Sequence, residues 1–382
     1  MDFDLSTEQE MIRKEIRKFA EKEIAPVAME LDEQERFSPE LTKKMGDIGL
    51  FGMFVSEAYG GQGMDYISYI IAVEEIARVD GSQAATIAAG NSLGIGPLYY
   101  FGSKEQKQKY LPALCTGEKL WGFGLTEPSA GSDAGASKTT AVKDGNEWVL
   151  NGSKIFITNA ACELTLGVTV QAITGHREDG RPEYTCFLVE QGTPGFKAQP
   201  MHKKMMWRSS NTAELYFDDV RVPEENILGK PGDGFHQMLQ TLDGGRLSIG
   251  AMGLGGAQGA YELALSYAKK REQFGRPISK FQAIGFKLAN AAMELECARN
   301  LLYKACWLRD KSRAFAKEAA MAKLYCSELM GRVADSAVQI HGGYGLMKEY
   351  SVERFYRDQK LLDIGEGTSE VQRIVISRHI GC

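Results

Sequence analysis

Glu147-Trp-Val-Leu-Asn-Gly-Ser-Lys-Ile-Phe-Ile-Thr158 is the stretch on which the reading of this 382-residue chain turns. Two short β-rich runs, Glu147–Leu150 and Lys154–Thr158, flank Asn151-Gly152. Asn-Gly is a strong hairpin signal because both residues tolerate positive φ, so a hairpin is expected here. Thr185-Cys-Phe-Leu-Val189 and Ala213-Glu-Leu-Tyr-Phe217 are further β-rich runs between turn residues, and 121–233 reads as a small β-domain. Upstream, Ser6-x-x-Gln9 fits a capping box, with Ile12, Ile16 and Phe19 following at helical spacing. Helical character continues to about residue 120, interrupted at Tyr59-Gly-Gly-Gln-Gly63. Downstream, Ile284, Leu288, Ala291, Leu295, Ala298, Leu302 and Ala305 form one apolar stripe. Ala322, Cys326, Leu329, Val333, Ser336 and Ile340 form another. Stripes of alternating four and three suggest antiparallel helices in a bundle. The expected fold class is α+β, with helical regions 1–120 and 234–382 around the β-domain.

A chain of this length exceeds one ordinary core, which agrees with several packed regions. The formal charge of −5 offers no basic footprint for nucleic acid. Seven scattered cysteines show no CxxC or Cys/His cluster, so neither a metal site nor a disulfide framework is expected. Reduced thiols point to a cytoplasmic setting. Met1-Asp-Phe-Asp-Leu-Ser6 has no cationic or apolar leader character, and no run reaches membrane-spanning length.

Chemistry concentrates in three places. Asp363-Ile-Gly-Glu-Gly-Thr-Ser-Glu370 holds a carboxylate, Glu366, between two glycines. Gly124-Leu-Thr-Glu-Pro-Ser-Ala-Gly-Ser-Asp133 and Gln339-Ile-His-Gly-Gly-Tyr-Gly-Leu346 are glycine-rich blocks, the second followed by Glu349, Arg354 and Asp358. Taken in chain order, 124–133, 339–346 and 363–370, the three resemble the two signatures and the catalytic loop of the FAD-dependent acyl-CoA dehydrogenases, and the resemblance runs along the whole chain. Three ordered matches are far more specific than one glycine motif.

The resemblance implies an N-terminal helical domain, a barrel-like β-domain and a C-terminal four-helix bundle. It makes Glu366 the base that takes the α-proton of an acyl-CoA thioester while hydride passes to flavin N5. The Glu366 N–H and an FAD ribityl hydroxyl would hold the thioester carbonyl. Phe123, Leu125 and Thr126 would line the pyrimidine side of the flavin, and Ser132 the approach of pyrophosphate and CoA. Phe156 stands where the family usually has Trp, behind the flavin, and Thr158 would donate to N5. Arg271, Gln273, Phe274 and Gln282, with Gln339, Gly342 and Gly343, would reach a neighbouring subunit's FAD. As a bare pattern, Arg271 lies in the charged run Lys269–Glu272, which also suits a solvated helix face. Thr368 and Glu370 would contact FAD of their own subunit. A homo-oligomer, a tetramer in the family, and an acceptor such as an electron-transfer flavoprotein follow from the same resemblance.

Leu242-Asp-Gly-Gly-Arg246 resembles the family's substrate segment, where Asp243 and Arg246 flank the CoA moiety. Some branches carry the base at the position of Gly245, which here cannot serve, leaving Glu366. Gly365 replaces the family's usual Tyr and opens room beside the acyl group. In this it resembles relatives that oxidise alicyclic thioesters of the cyclohexane- or cyclohexenecarboxyl-CoA kind. Asn91 is expected near the pocket, where an amide cannot act as a second base. Short- or medium-chain dehydrogenation, enoyl-CoA reduction, an oxidase reaction and a non-catalytic flavin- or CoA-binding role are the alternatives. Gly253-Leu-Gly-Gly-Ala-Gln-Gly259 lies in a helical pattern and is expected to serve close helix packing rather than a dinucleotide site. His341, with no partner at ligand spacing, reads as structural or dinucleotide-contacting.

Overall fold

The computed structural model describes residues 4–382; the leader expectation rests partly on residues 1–3, outside them. Helices come first: α1 (Thr7–Phe19), α2 (Ala28–Gln34), α3 (Pro39–Asp47), α4 (Tyr66–Ala77), α5 (Gly81–Ala89), α6 (Gly96–Phe101) and α7 (Lys104–Cys115). The capping box is formed in full: Gln9 N–H donates to Ser6 Oγ, and the Gln9 side chain accepts from Ser6 N–H. Helix α4 is buried on nearly every face because α1 lies on one side and the long C-terminal α8 on the other.

Strands follow as β1 (Leu120–Gly124), β2 (Thr140–Asp144), β3 (Glu147–Thr158), β4 (Thr165–His176), β5 (Pro182–Glu190), β6 (Phe196–Pro200), β7 (Thr212–Pro223) and β8 (Ile227–Leu228). They pair in the order β6-β7-β3-β2-β4-β5-β8, with β1 parallel to β4. The sheet curls round its own core of Leu150, Val168, Val170, Phe187, Leu215 and Val220. It is barrel-like in that sense, although no ladder joins β6 to β8 among the described residues.

The expected hairpin at Asn151-Gly152 is not there. β3 runs straight through it as one 12-residue strand, and the turn comes earlier, at Gly145-Asn146, with Asp144 paired to Glu147. Asn151 is held across the sheet instead: its amide bonds Asp219 Oδ1 at 3.0 Å and accepts from Asp219 N–H at 2.9 Å. Gly152 lies in an irregularity of the ladder at φ 146°, where a Cβ would stand 2.6 Å from Thr139 Oγ1. The glycine is needed for a close strand approach rather than a turn.

The remaining elements are α8 (Gly234–Lys270), a short hairpin of β9 (Glu272–Gln273) and β10 (Arg276–Pro277), α9 (Gln282–Asp310), α10 (Ala316–His341), α11 (Val352–Leu362) and α12 (Ser369–Ile380). Both apolar stripes face inward; Leu288 to Ala305 on α9, and Ala322, Cys326, Leu329, Val333 and Ile340 on α10, are buried. Ile284 and Ser336 end half-buried at the margins. The glycines of 253–259 let α8 touch backbone on two sides. A Cβ on Gly253 would lie 2.7 Å from the Cys326 carbonyl oxygen of α10, and one on Gly255 would overlap the Glu74 carbonyl of α4. The N- and C-terminal helices thereby share one continuous core, into which Trp121, Phe123 and Leu125 of the sheet also pack.

Candidate active site

Glu366 lies in the link from α11 to α12 and takes φ 52°, followed by Gly367 at φ 91°. Such conformations disfavour residues with a Cβ, and a bulky one there signals a constrained site. The turn is held from behind. Gln372 Nε2 of α12 donates to the Glu366 carbonyl at 3.2 Å and to the Gly367 carbonyl at 2.9 Å. Lys323 Nζ of α10 donates to the same Gly367 oxygen at 2.9 Å. Held this way, the Glu366 carboxylate comes against α8 at Gly245, where an added Cβ would overlap its oxygen. The two positions at which a base is known in the resemblance therefore converge on one spot.

The Glu366 residue is half-buried, but its Oε2 is sealed from solvent without a hydrogen-bond partner. Nor does any backbone carbonyl accept from its N–H among the described residues. Burial pushes the carboxyl up to about 7, opposed first by the charge of Lys323 and then by Arg246. Arg246 is itself buried, pairs with Asp243 one turn away, and leaves Nε unpartnered. This pair sits in the third and fourth turns of α8, not at a helix terminus. Leu242 is half-buried beside it. Orphaned polar atoms on two facing groups are what a polar ligand would satisfy.

Gly365 needs no special backbone, and the nearest atoms to a Cβ there belong to Leu361, at ordinary contact distances of 3.4–3.8 Å. One residue before Gly245, Gly244 opens onto a cleft of about 580 Å³ lined by Tyr66, Ser92, Gly96, Tyr100, Arg309 and Phe315. Asn91 does not face it. Its side chain is fully buried in a π-helical turn, donating to the Leu50 and Ile87 carbonyls and accepting from Met53 N–H. The amide ties the 50–53 segment down, and the pocket-facing place falls to its neighbour Ser92, which corrects the expectation for Asn91.

The residues expected around a flavin fall into two groups. Thr126, Phe156 and Thr158 lie together because Ile155 N–H bonds the Thr126 carbonyl. Phe156 sits in a bulge of β3 against β7 at φ 63°, which throws its ring outward to 62% exposure. The hydroxyls of Thr126 and Thr158 take no partner among the described residues. Phe123 and Leu125 are buried at the end of β1, and Ser132 is exposed on the following loop. Behind them the fully buried Lys154 bonds Glu127 at 2.8 Å and the Leu125 carbonyl at 3.3 Å, a clamp that the sequence reading missed. Thr368 caps α12 through Val371 N–H, and Glu370 is exposed.

The second group lies at the far end of α8 and α10. Arg271, Gln273, Gly342 and Gly343 line a cleft of about 650 Å³. A Cβ on either glycine would meet nothing within 4 Å, so the cleft floor is bare backbone. Gln282 and Gln339 are exposed nearby, and Phe274 projects at 93% exposure from the β9–β10 tip. His341 is buried, bonded to the Ala337 carbonyl at 2.8 Å and stacked on Tyr267 at 4.2 Å. It is structural, at the wall of this cleft. An exposed ring with free hydroxyls at one site, and an arginine over bare glycines at another, suit the ring and phosphate ends of a dinucleotide flavin.

Sequence profiles for the N-terminal, middle and C-terminal domains of acyl-CoA dehydrogenase match residues 6–118, 122–220 and 232–381. The chain belongs to the acyl-CoA dehydrogenase family. It is an FAD-dependent oxidoreductase of that family. It is 52% identical over the full length of both chains to the probable acyl-CoA dehydrogenase YngJ of Bacillus subtilis (strain 168). Among solved structures it resembles butyryl-CoA dehydrogenase from Megasphaera elsdenii, with TM-score 0.96, 44% identity and full coverage of both chains. A chain in the structure of the electron transferring flavoprotein of Acidaminococcus fermentans matches with TM-score 0.96, 46% identity and full coverage of both. No helix of the described residues is long and apolar enough to cross a membrane.

Proposed function

We propose that this acyl-CoA dehydrogenase uses Glu366 to remove the α-proton of a bulky or alicyclic acyl-CoA, of the cyclohexane- or cyclohexenecarboxyl-CoA kind. The observation that carries the assignment of the base is the Glu366 carboxylate itself, sealed against Gly245 with one oxygen unpartnered. A thioester α-proton is weakly acidic, so the base must be held on the carbon while the carbonyl is polarised. The Glu366 N–H, which no backbone carbonyl takes up among the described residues, would be the donor for that carbonyl. FAD, when bound, supplies the acceptor for the hydride that leaves the β-carbon. Phe123, Leu125, Thr126, Ser132, Phe156, Thr158, Thr368 and Glu370 would hold it within the subunit. Arg271, Gln273, Phe274, Gln282, Gln339, Gly342 and Gly343 would hold the FAD of a neighbour in a homo-oligomer, taken as a tetramer. Asp243 and Arg246, with Leu242, face the CoA moiety. An electron-transfer flavoprotein, of the kind named for the A. fermentans relative, is the proposed acceptor.

The absent side chain at Gly365 and the aromatic cleft beside Gly244 support a bulky acyl group. The likeness to the M. elsdenii enzyme favours a second reading, straight short-chain thioesters. The test mixes flavin-loaded protein anaerobically with cyclohexanecarboxyl-CoA and butyryl-CoA and follows flavin bleaching. A higher kcat/KM on the cyclic thioester supports the proposal, and the reverse order selects the short-chain reading. Bleaching by neither overturns the assigned chemistry.

A further inference from the structure

We propose that Lys323 is the positioning residue for the Glu366 base: its ammonium holds the left-handed turn that aims the carboxylate at Gly245 and provides the charge opposite it. The proposal rests on Glu366 being the base. Lys323 lies on the inward face of α10 among Ala319, Ala322, Cys326 and Leu329, with no exposure at all. Lysine is among the residues least often fully buried, and an ammonium out of water is costly unless well partnered. Here it has one hydrogen bond, to the Gly367 carbonyl at 2.9 Å, and no carboxylate at ion-pair distance among the described residues. What it reaches is the turn itself.

Two successive positive-φ residues turn the carbonyls of Glu366 and Gly367 towards α10 and α12, where, among the described residues, Lys323 and Gln372 alone bond them. A non-glycine residue held at such φ is strained, so the turn persists only if its surroundings impose it. The charged and titratable groups facing Glu366 are Lys323 from α10, Arg246 from α8 and Tyr69 from α4, while Asp363 and Glu370 of its own segment act on Lys323 and Asp243 of α8 acts on Arg246. Arg246 is already paired with Asp243. That leaves Lys323 as the facing cation without an acidic partner at contact. Burial lowers Lys323 itself to about 8, with Glu366 and then Asp363 opposing. The ammonium and the ionised carboxylate therefore support each other around neutral pH.

Lys323→Gln retains an N–H for the Gly367 carbonyl but removes the charge, Lys323→Met removes both, and Lys323→Arg keeps the charge. The measurements are the pH dependence of anaerobic flavin reduction and an infrared titration of the Glu366 carboxyl, identified by its loss in Glu366→Gln. With Lys323→Gln both midpoints should move up by about one pH unit, the plateau at high pH being retained. Lys323→Met should shift them likewise and lower the plateau about tenfold or more, because the turn is released; Lys323→Arg should stay near wild type. If Glu366→Gln is inert while the Gln and Met variants keep the wild-type midpoint, Lys323 is only structural and the proposal is overturned. If Glu366→Gln still reduces its flavin, it is the assignment of the base that fails. Should Lys323→Met not fold, the Gln variant alone decides.

Discussion

Glu366 works at the residue scale through burial and backbone together: the left-handed turn brings its carboxylate against Gly245, and the surrounding helices raise it to about 7. As the proposed base it must be ionised, so flavin reduction should increase with pH through a limb near that value. The same shift has the opposite sign for stability: what the protonated carboxyl contributes is complete below its unfolded value and lost as pH rises through about 7. Glu366→Gln should keep FAD yet reduce it at least ~10²–10⁴-fold more slowly, since the amide cannot take a proton. Normal reduction in that variant would remove Glu366 from the mechanism. In the proposed reading, the neighbouring Gly365 makes room for the acyl group. Its φ admits a side chain, and Gly365→Tyr starts a ring from a Cβ whose three nearest neighbours are atoms of Leu361 at 3.4–3.8 Å. Overpacking of about 1–3 kcal/mol should lower kcat/KM on cyclohexanecarboxyl-CoA roughly ten- to hundredfold, leaving butyryl-CoA less affected. Equal losses on both would mean damage to the loop instead.

At the scale of elements, two features do more than regular secondary structure requires. The β3 bulge spends one residue to point Phe156 away from the sheet core, a positioning that a regular strand could not give at that register. Helix α8 carries glycines where α10 and α4 approach to backbone contact. In an open helix interior, Gly→Ala ordinarily stabilises by up to ~1 kcal/mol. At Gly253 the new Cβ would lie 2.7 Å from a backbone oxygen of α10, whereas at Gly285 on α9 the nearest atom is 3.8 Å away. Thermal melts of the two variants should move in opposite directions, Gly253→Ala down and Gly285→Ala level or up. A stabilised Gly253→Ala would show that α8 and α10 can part without cost.

Across the whole molecule, a buried charge cluster joins the helical regions to the sheet. Arg357 of α11 bonds Asp32 at 2.7 Å and the Met205 carbonyl at 3.0 Å, Arg354 pairs with Asp80, and Asp358 accepts from Trp207 N–H at 2.8 Å. Burial raises Asp358 to about 7, against the pull of Arg354. In the fold this group binds a proton that the unfolded chain releases near pH 4. Stability therefore falls as pH climbs from there through about 7. Asp358→Asn keeps an acceptor for Trp207 but has no proton to lose. Its Tm relative to wild type should be more favourable at pH 8 than at pH 5. A difference that does not change with pH would show that Asp358 is ionised throughout.

The chain by itself determined the sequence of helical, β and helical regions, because periodicity, capping and apolar stripes act between residues a few positions apart. Ser6 with Gln9 and the buried stripe from Leu288 to Ala305 were legible for that reason. The glycines of 253–259 were legible as packing positions, though not which helices they touch. Tertiary structure alone decided the rest. Asn151-Gly152 has the local chemistry of a turn, yet Asp219 and Thr139, distant in sequence or across the ladder, keep it extended. Asn91 lies beside a pocket residue, yet Leu50 and Met53 claim its amide. Lys323 is hidden in a helical stripe, and its partner Gly367 is 44 residues away. In each case the deciding hydrogen bond joins segments that only the folded chain brings together, and no local pattern carries that information.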